Sequence, residues 1–172
     1  MKSCLLLLLV ACSVVTAYSQ ASTVALRQEG GNNVGNVNQN GEANWATIDQ
    51  NGNQNWVRAT QNRSRNRLDV DQSGTNQYGD IGQDGNDNDM VIRQDGSGNR
   101  NRLNQAGSNN RLEITQNGNG NWTGLTQLDN NSAAVLQTGS GNQLNVVQTG
   151  GQAARIYQNG TGNNTYINLT NQ

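Results

Sequence analysis

The chain is predicted to be an all-β solenoid, wound from rungs of twenty-two residues that each supply two strands and two turns. Three observations predict it. Glutamine recurs at Gln28, Gln39, Gln50, Gln61, Gln72, Gln83, Gln94, Gln105, Gln116 and Gln127, every step eleven residues, and a fixed period marks a repeat architecture. Nine residues after each Gln comes an aliphatic: Val37, Ile48, Ala59, Val70, Ile81, Ile92, Leu103, Ile114 and Leu125. Seven residues after it, alternate units carry Ala46, Leu68, Met90 and Leu112, and the units between carry Gly35, Val57, Gly79, Asn101 and Thr123. That alternation doubles the period to twenty-two and separates a better-packed sheet from its partner.

The strands come first. Offsets five, seven, nine and eleven differ by two, the side-chain period of a strand, so they share one face. Offset five is mostly Asn: Asn33, Asn44, Asn55, Asn66, Asn88, Asn99, Asn110 and Asn121. The inward face is therefore Asn, a small or apolar residue, an aliphatic and Gln. The offsets between them hold Arg67, Asp69 and Asp71 in one unit and Asp89, Val91 and Arg93 in another, which marks the wet face. Offsets one to four, usually with Gly at two (Gly30, Gly41, Gly52, Gly74, Gly85, Gly96, Gly107, Gly118), are read as the chain reversal, because Gly, Asn, Asp and Ser tolerate left-handed backbone or bond their own main chain. Successive rungs should stack about 4.8 Å apart, as in cross-β structure, so identical amides fall within reach of one another and the Gln and Asn columns are expected to form ladders.

From the amino terminus, Lys2, the apolar run 5–15 and the small-x-small triplet Ala17-Tyr18-Ser19 read as a secretory signal peptide over residues 1–19, cleaved near Ser19 or Gln20. Leu9-Val10-Ala11-Cys12 offers a rival, a lipobox that would leave a lipid on Cys12. Both cysteines, Cys4 and Cys12, fall in this leader, and the mature chain must stand without disulfides. Residues 20–172 are read as one solenoid domain. Its opening strand places Ser22, Val24, Leu26 and Gln28 in the inward columns. After Gln127 two one-residue deletions, both placed in turns, give Gln137, Gln148 and Gln158 with inward Val135, Val146, Ile156 and Ile167. The total is about fourteen strands in about seven rungs. The expected core is Leu26, Val37, Ile48, Val70, Ile81, Ile92, Leu103, Ile114, Leu125, Val135, Val146, Ile156 and Ile167. The Gln column closes on Leu169.

Composition agrees. An Asn/Gln/Gly-rich chain with 21 Gly and 13% charged residues also fits a disordered, prion-like segment, but disorder has no use for a strict aliphatic register. The absence of Pro suits strands that need every backbone N–H.

The unit Gln39-Asn40-Gly41-Glu42-Ala43-Asn44-Trp45-Ala46-Thr47-Ile48-Asp49-Gln50 resembles the curlin repeat of curli fibre subunits, secreted proteins that polymerise into extracellular amyloid on bacterial surfaces. The resemblance spans nearly the whole mature chain. It implies a structural subunit of a cell-surface fibre for adhesion and biofilm matrix. It also implies self-association, other curlin subunits and a dedicated outer-membrane secretion system as partners. The chain departs from the major curlin pattern in two ways: a residue or two stand where a Gly-rich targeting segment would lie, and the inward Ser of the curlin strand is mostly Asn. A major subunit and a surface-bound nucleator both fit.

Other classes fit poorly. With no His and no mature Cys, the usual bases, nucleophiles and metal ligands are missing, and Asp69, Asp71, Asp87 and Asp89 sit on strand exteriors or turns rather than converging. No catalytic residue, metal, cofactor or nucleic-acid partner is expected. Calcium-binding β-rolls need a nine-residue period, and an ice-binding face would want an outward Thr-x-Thr array. A monomeric β-solenoid adhesin is the alternative, and it would need capped ends. On the outer face, Trp56, Tyr78 and Trp122 share one column and Trp45 lies on the other sheet, read as solvent-edge packing rather than a glycan or dye site. Triplets such as Asn121-Trp122-Thr123 are expected by chance in an Asn-rich chain. Arg58, Asp80 and Arg102 are expected to stack on three successive rungs, as are Arg67, Asp89 and Arg111, with alternating sign.

Overall fold

A computed structural model describes residues 16–18 and 22–171. Cys4, Cys12, Lys2, the apolar run 5–15 and the cleavage site expected near Ser19 or Gln20 lie outside the described residues. Within them the chain is strands and corners, without a helix. One sheet holds β2 (Thr23–Gly31), β4 (Trp45–Asn53), β6 (Arg67–Thr75), β8 (Asp89–Ser97), β10 (Arg111–Asn119), β12 (Ser132–Ser140) and β14 (Ala153–Thr161). The other holds β1 (Thr16–Tyr18), β3 (Val34–Asn40), β5 (Trp56–Asn62), β7 (Tyr78–Asp84), β9 (Arg100–Ala106), β11 (Trp122–Leu128), β13 (Gln143–Thr149) and β15 (Asn164–Thr170). Each sheet runs in simple sequence order, every second strand its neighbour, all parallel. Seven rungs, β2–β3 through β14–β15, wind into a β-solenoid.

Register is set by the inward columns, since a slip of one residue would turn every aliphatic to water. Gln50 pairs with Gln72 and Gln94 with Gln116, twenty-two residues apart. Beyond that the spacing is twenty-one: Gln116 pairs with Gln137 and Gln127 with Gln148 across the corner 129–131, and Gln137 pairs with Gln158 across the corner 150–152, each corner one residue shorter. The strand faces stay in phase through both deletions. Burial alternates accordingly, and Ile48, Val70, Ile92, Ile114 and Val146 are wholly shielded between the sheets. Val37, Ile81, Leu103, Leu125, Val135 and Ile156 are buried as well, and Leu26 and Ile167, on the terminal rungs, are partly buried. Offset seven completes the core with Ala46, Leu68, Met90, Leu112 and Ala133 on one side and Val57 and Leu144 on the other.

One expectation needs correction. Offsets one to three do not all form turns: in the seven-stranded sheet the strand runs on past Gln, so that β4 ends at Asn53 and only Gln54 and Asn55 make the corner. Gly makes this possible. Gly30, Gly52, Gly74, Gly96, Gly118, Gly139 and Gly160 stack directly with φ between 99° and 121°. A Cβ on Gly52 would stand 2.0 Å from the Gly74 carbonyl oxygen, so no other residue fits that close backbone approach. The opposite corner is wider, four residues between β5 and β6, and offset four is left-handed even at Ala43 and Arg65. Both corners stack like the strands: the Asn76 amide donates to the Asn53 carbonyl (3.0 Å) and the Arg65 amide to the Glu42 carbonyl (3.0 Å).

Strand β1 falls inside the segment read as a leader. It pairs with β3, Ala17 against Gln39, and so occupies the first edge of the eight-stranded sheet.

Candidate functional site

Burying a carboxamide is costly unless both its N–H groups and its oxygen find partners. The Gln columns meet that demand by stacking. On the seven-stranded sheet Gln28 Nε2 donates to Gln50 Oε1 (2.7 Å), Gln50 to Gln72 (2.8 Å), Gln72 to Gln94 (2.8 Å), Gln94 to Gln116 (3.0 Å), Gln116 to Gln137 (2.8 Å) and Gln137 to Gln158 (2.6 Å). On the eight-stranded sheet Gln39, Gln61, Gln83, Gln105, Gln127 and Gln148 form a second ladder with spacings of 2.8–3.0 Å. The second N–H crosses the corner to a backbone carbonyl of the facing strand, as Gln50 does to Val34 (3.1 Å) and Gln61 to Trp45 (3.1 Å). Every Nε2 points toward the carboxy-terminal rung. The ladders therefore have a direction, acceptor end at the first rung and donor end at the last.

The Asn columns do two things at once. Asn66 Nδ2 donates to the Asn62 carbonyl in its own corner (2.9 Å), to the Gly85 carbonyl one rung on (2.8 Å) and to Asn44 Oδ1 (3.2 Å). Its own Oδ1 accepts from the Asn88 backbone amide (3.2 Å) and side chain (3.0 Å). Asn33, Asn44, Asn55, Asn99, Asn110 and Asn121 make corresponding bonds to corner carbonyls or to the next rung's amide. The columns are longer than the sequence reading listed above: Gln77, Asn131, Asn142, Gln152 and Asn163 hold the same places. Gln77 differs in side chain type, Asn131 and Gln152 are displaced by the two deletions, and Asn142 and Asn163 continue offset five beyond Gln137 and Gln158. Counting back from the next strand, rather than forward from Gln, places Asn131 and Gln152; the other three stand at offset five.

The outer columns carry charge and rings. Arg58 reaches Asp80 through Nε (3.0 Å) and Nη2 (2.9 Å), and Arg65 reaches Asp87 in the same bidentate way (2.7 and 2.8 Å). The Arg65 guanidinium holds the Asp87 carboxyl below its ordinary value. The column Arg67, Asp89, Arg111 is in register but forms no ion pair. Arg67 instead lies over the Trp45 ring at 5.0 Å, a cation–π contact that draws the guanidinium away. Asp89 Oδ1 is left buried without a partner. Trp56 and Tyr78 stack at 4.6 Å with ring planes 9° apart.

The two ends differ. At the last rung Gln158, still buried, turns Nε2 to the Gln143 carbonyl (2.9 Å) and Thr165 Oγ1 (2.9 Å). Gln148 is covered by Leu169 and donates to the Ser132 carbonyl (3.1 Å) and the Gln152 carbonyl (3.4 Å). At the first rung Gln28 is partly buried at the edge of its sheet, and Gln39 Oε1, beneath β1, is buried with no hydrogen-bond partner.

The model of the curlin associated repeat matches residues 64–96 and 85–118, the span of β6 through β10. Residues 64–118 are thus similar to the curlin associated repeat. No curated protein and no solved structure gives a match.

Proposed function

We propose that this curlin-repeat chain is the structural subunit of an extracellular, cell-surface fibre that serves adhesion and biofilm matrix, assembled by stacking the first rung of one copy on the last rung of another. The observation that carries the reading is the direction of the amide ladder. Gln158 ends it with an N–H that rests on Thr165 Oγ1 in the single chain (2.9 Å) and Gln28 begins it with an acceptor, so turning that N–H to Gln28 lets a second copy continue the seven-stranded sheet without a change of register. That placement also sets Ile156 over Leu26, Gly160 over Gly30, Asn163 over Asn33 and Ile167 over Val37, like residues on like at these four positions. The edges β2, β14 and β15 present backbone groups with no strand beyond them, a pairing site for another chain. Stacking satisfies these groups, and it covers Val24, Leu26, Ala154 and Ile167, which the isolated chain leaves partly exposed.

In this reading residues 1–19 are a leader removed on export, other curlin subunits and a dedicated outer-membrane secretion system are partners, and the role is structural, as in the curlin family. Removing the leader takes β1 away and frees the edge of β3. The test is to incubate purified protein beginning at residue 20 and to record electron micrographs and fibre diffraction. Unbranched fibres with a meridional reflection near 4.8 Å are expected. A folded monomer that persists at high concentration would instead favour the solitary adhesin solenoid.

A further inference from the structure

The two amide ladders do not end alike, and the difference falls at the junction between copies. Resting on the stacking reading above, we propose that Leu169 is a built-in mismatch that weakens the joint on the eight-stranded sheet and limits how fast and how tightly a second copy of this chain adds. Six consecutive positions of that column are Gln and the seventh is Leu169, paired with Gln148 in unbroken register. Continuing the register into a second copy sets Leu169 on Gln39. Gln39 has a donor's role inside its own chain, giving Nε2 to Gln61 Oε1 (2.8 Å) and to the Thr23 carbonyl (3.1 Å). Its Oε1 faces the other way and needs an N–H from the rung before.

Leucine has none to give. The molecule itself displays the outcome of placing a residue without an amide there: the β1 residue paired with Gln39 is Ala17, and beneath it Gln39 Oε1 is buried with no partner. A buried acceptor without a donor loses its hydration and regains nothing. On the seven-stranded sheet the joint sets the Gln158 amide on Gln28, and an N–H released from Thr165 Oγ1 completes it, so a fibre would run one continuous ladder beside one that is interrupted once per subunit. The damage at Gln148 is small by comparison, because the Gln152 carbonyl takes its spare N–H.

The test is seeded elongation of protein beginning at residue 20, comparing wild type, Leu169→Gln and Leu169→Ala, with residual monomer measured at equilibrium. Leu169→Gln restores the donor and is expected to speed elongation and to lower residual monomer about tenfold, the size of one net hydrogen bond. Leu169→Ala removes the same apolar surface without supplying an amide and is expected to leave residual monomer unchanged or higher. Wild-type fibres with Leu169→Gln no faster and no tighter than wild type overturn the inference while the stacking reading stands. Absence of fibres from all three proteins overturns both.

Discussion

Asp71 stacks directly on Asp49, one rung apart on the outer face of the seven-stranded sheet. Partial burial raises the Asp71 pKa above its ordinary value and the neighbouring Asp49 charge raises it further, while Arg93 on the next rung opposes the shift. The folded chain thus holds this proton to a higher pH than the unfolded chain does. Stability tied to Asp71 is therefore lost as pH rises through the folded pKa, and the penalty is complete above it. Asp71→Asn should raise the guanidinium midpoint of the assembled protein at neutral pH, with the gain shrinking as pH falls below the Asp71 pKa. Asp87→Asn should do the opposite at neutral pH, because Arg65 lowers the Asp87 pKa and that stabilisation disappears only when acid protonates the carboxylate. Parallel pH profiles for the two variants would contradict this assignment.

Glycine matters for different reasons at two neighbouring positions. A Cβ on Gly74 would lie 2.1 Å from the Gly96 carbonyl oxygen, at φ 110°, whereas a Cβ on Gly98 meets nothing within 4 Å, at φ 65°. Backbone cannot yield there without breaking the rung stack. Gly74→Ala is expected to abolish ordered assembly, and Gly98→Ala to cost about 1 kcal/mol, the ordinary price of left-handed backbone with a side chain. Denaturant titration with micrographs of both variants decides it.

The period, the two faces and the ladders could be read from residues alone because each rests on a repeated side chain with a single inward solution. Three features could not. Offsets one to three look like one turn in every unit, yet Gly52 and its column continue a strand while the segment after Asn62 does not. The Arg67–Asp89 column has the right register, but Trp45 competes for the guanidinium from the preceding rung, and a column count is blind to competition. Asn101 stands inward by its offset, and nothing in the sequence says whether its amide meets a partner there.

That amide meets none. Asn101 is 1% exposed, with Nδ2 and Oδ1 both unpartnered, between Gly79 and Thr123 on adjacent rungs. Gln72, equally buried, receives from Gln50 and donates to Gln94. Leucine should therefore have opposite effects at the two sites. Asn101→Leu removes a desolvated amide and should stabilise by about 1–3 kcal/mol. Gln72→Leu strands a donor on Gln50 and an acceptor on Gln94, and should destabilise by about 1–3 kcal/mol for each group left unpaired. Guanidinium midpoints of the fibres give both signs in one experiment.

The outer charges allow a similar contrast between two aspartates in equivalent columns. Asp80 takes a bidentate pair from Arg58 on one side and faces Arg102 on the other. Asp89 lies between Arg67 and Arg111 in register, but pairs with neither and keeps a buried, unpartnered oxygen. Asp80→Asn removes an attraction and leaves Arg58 and Arg102 flanking a neutral residue, so assembly should slow at low salt and recover as screening rises. Asp89→Asn exchanges a carboxylate for a neutral amide at a site that gives the charge no partner, so assembly should proceed at least as fast as wild type and respond little to salt. The reversed signs Asp80→Arg and Asp89→Arg both place three arginines in one column and should both slow assembly at low salt, which controls for simple crowding of like charge. Thioflavin kinetics across a salt series separates the two aspartates: equal slowing by Asp80→Asn and Asp89→Asn would mean that column sign alone, and not the contact Arg58 makes with Asp80, governs the outer face.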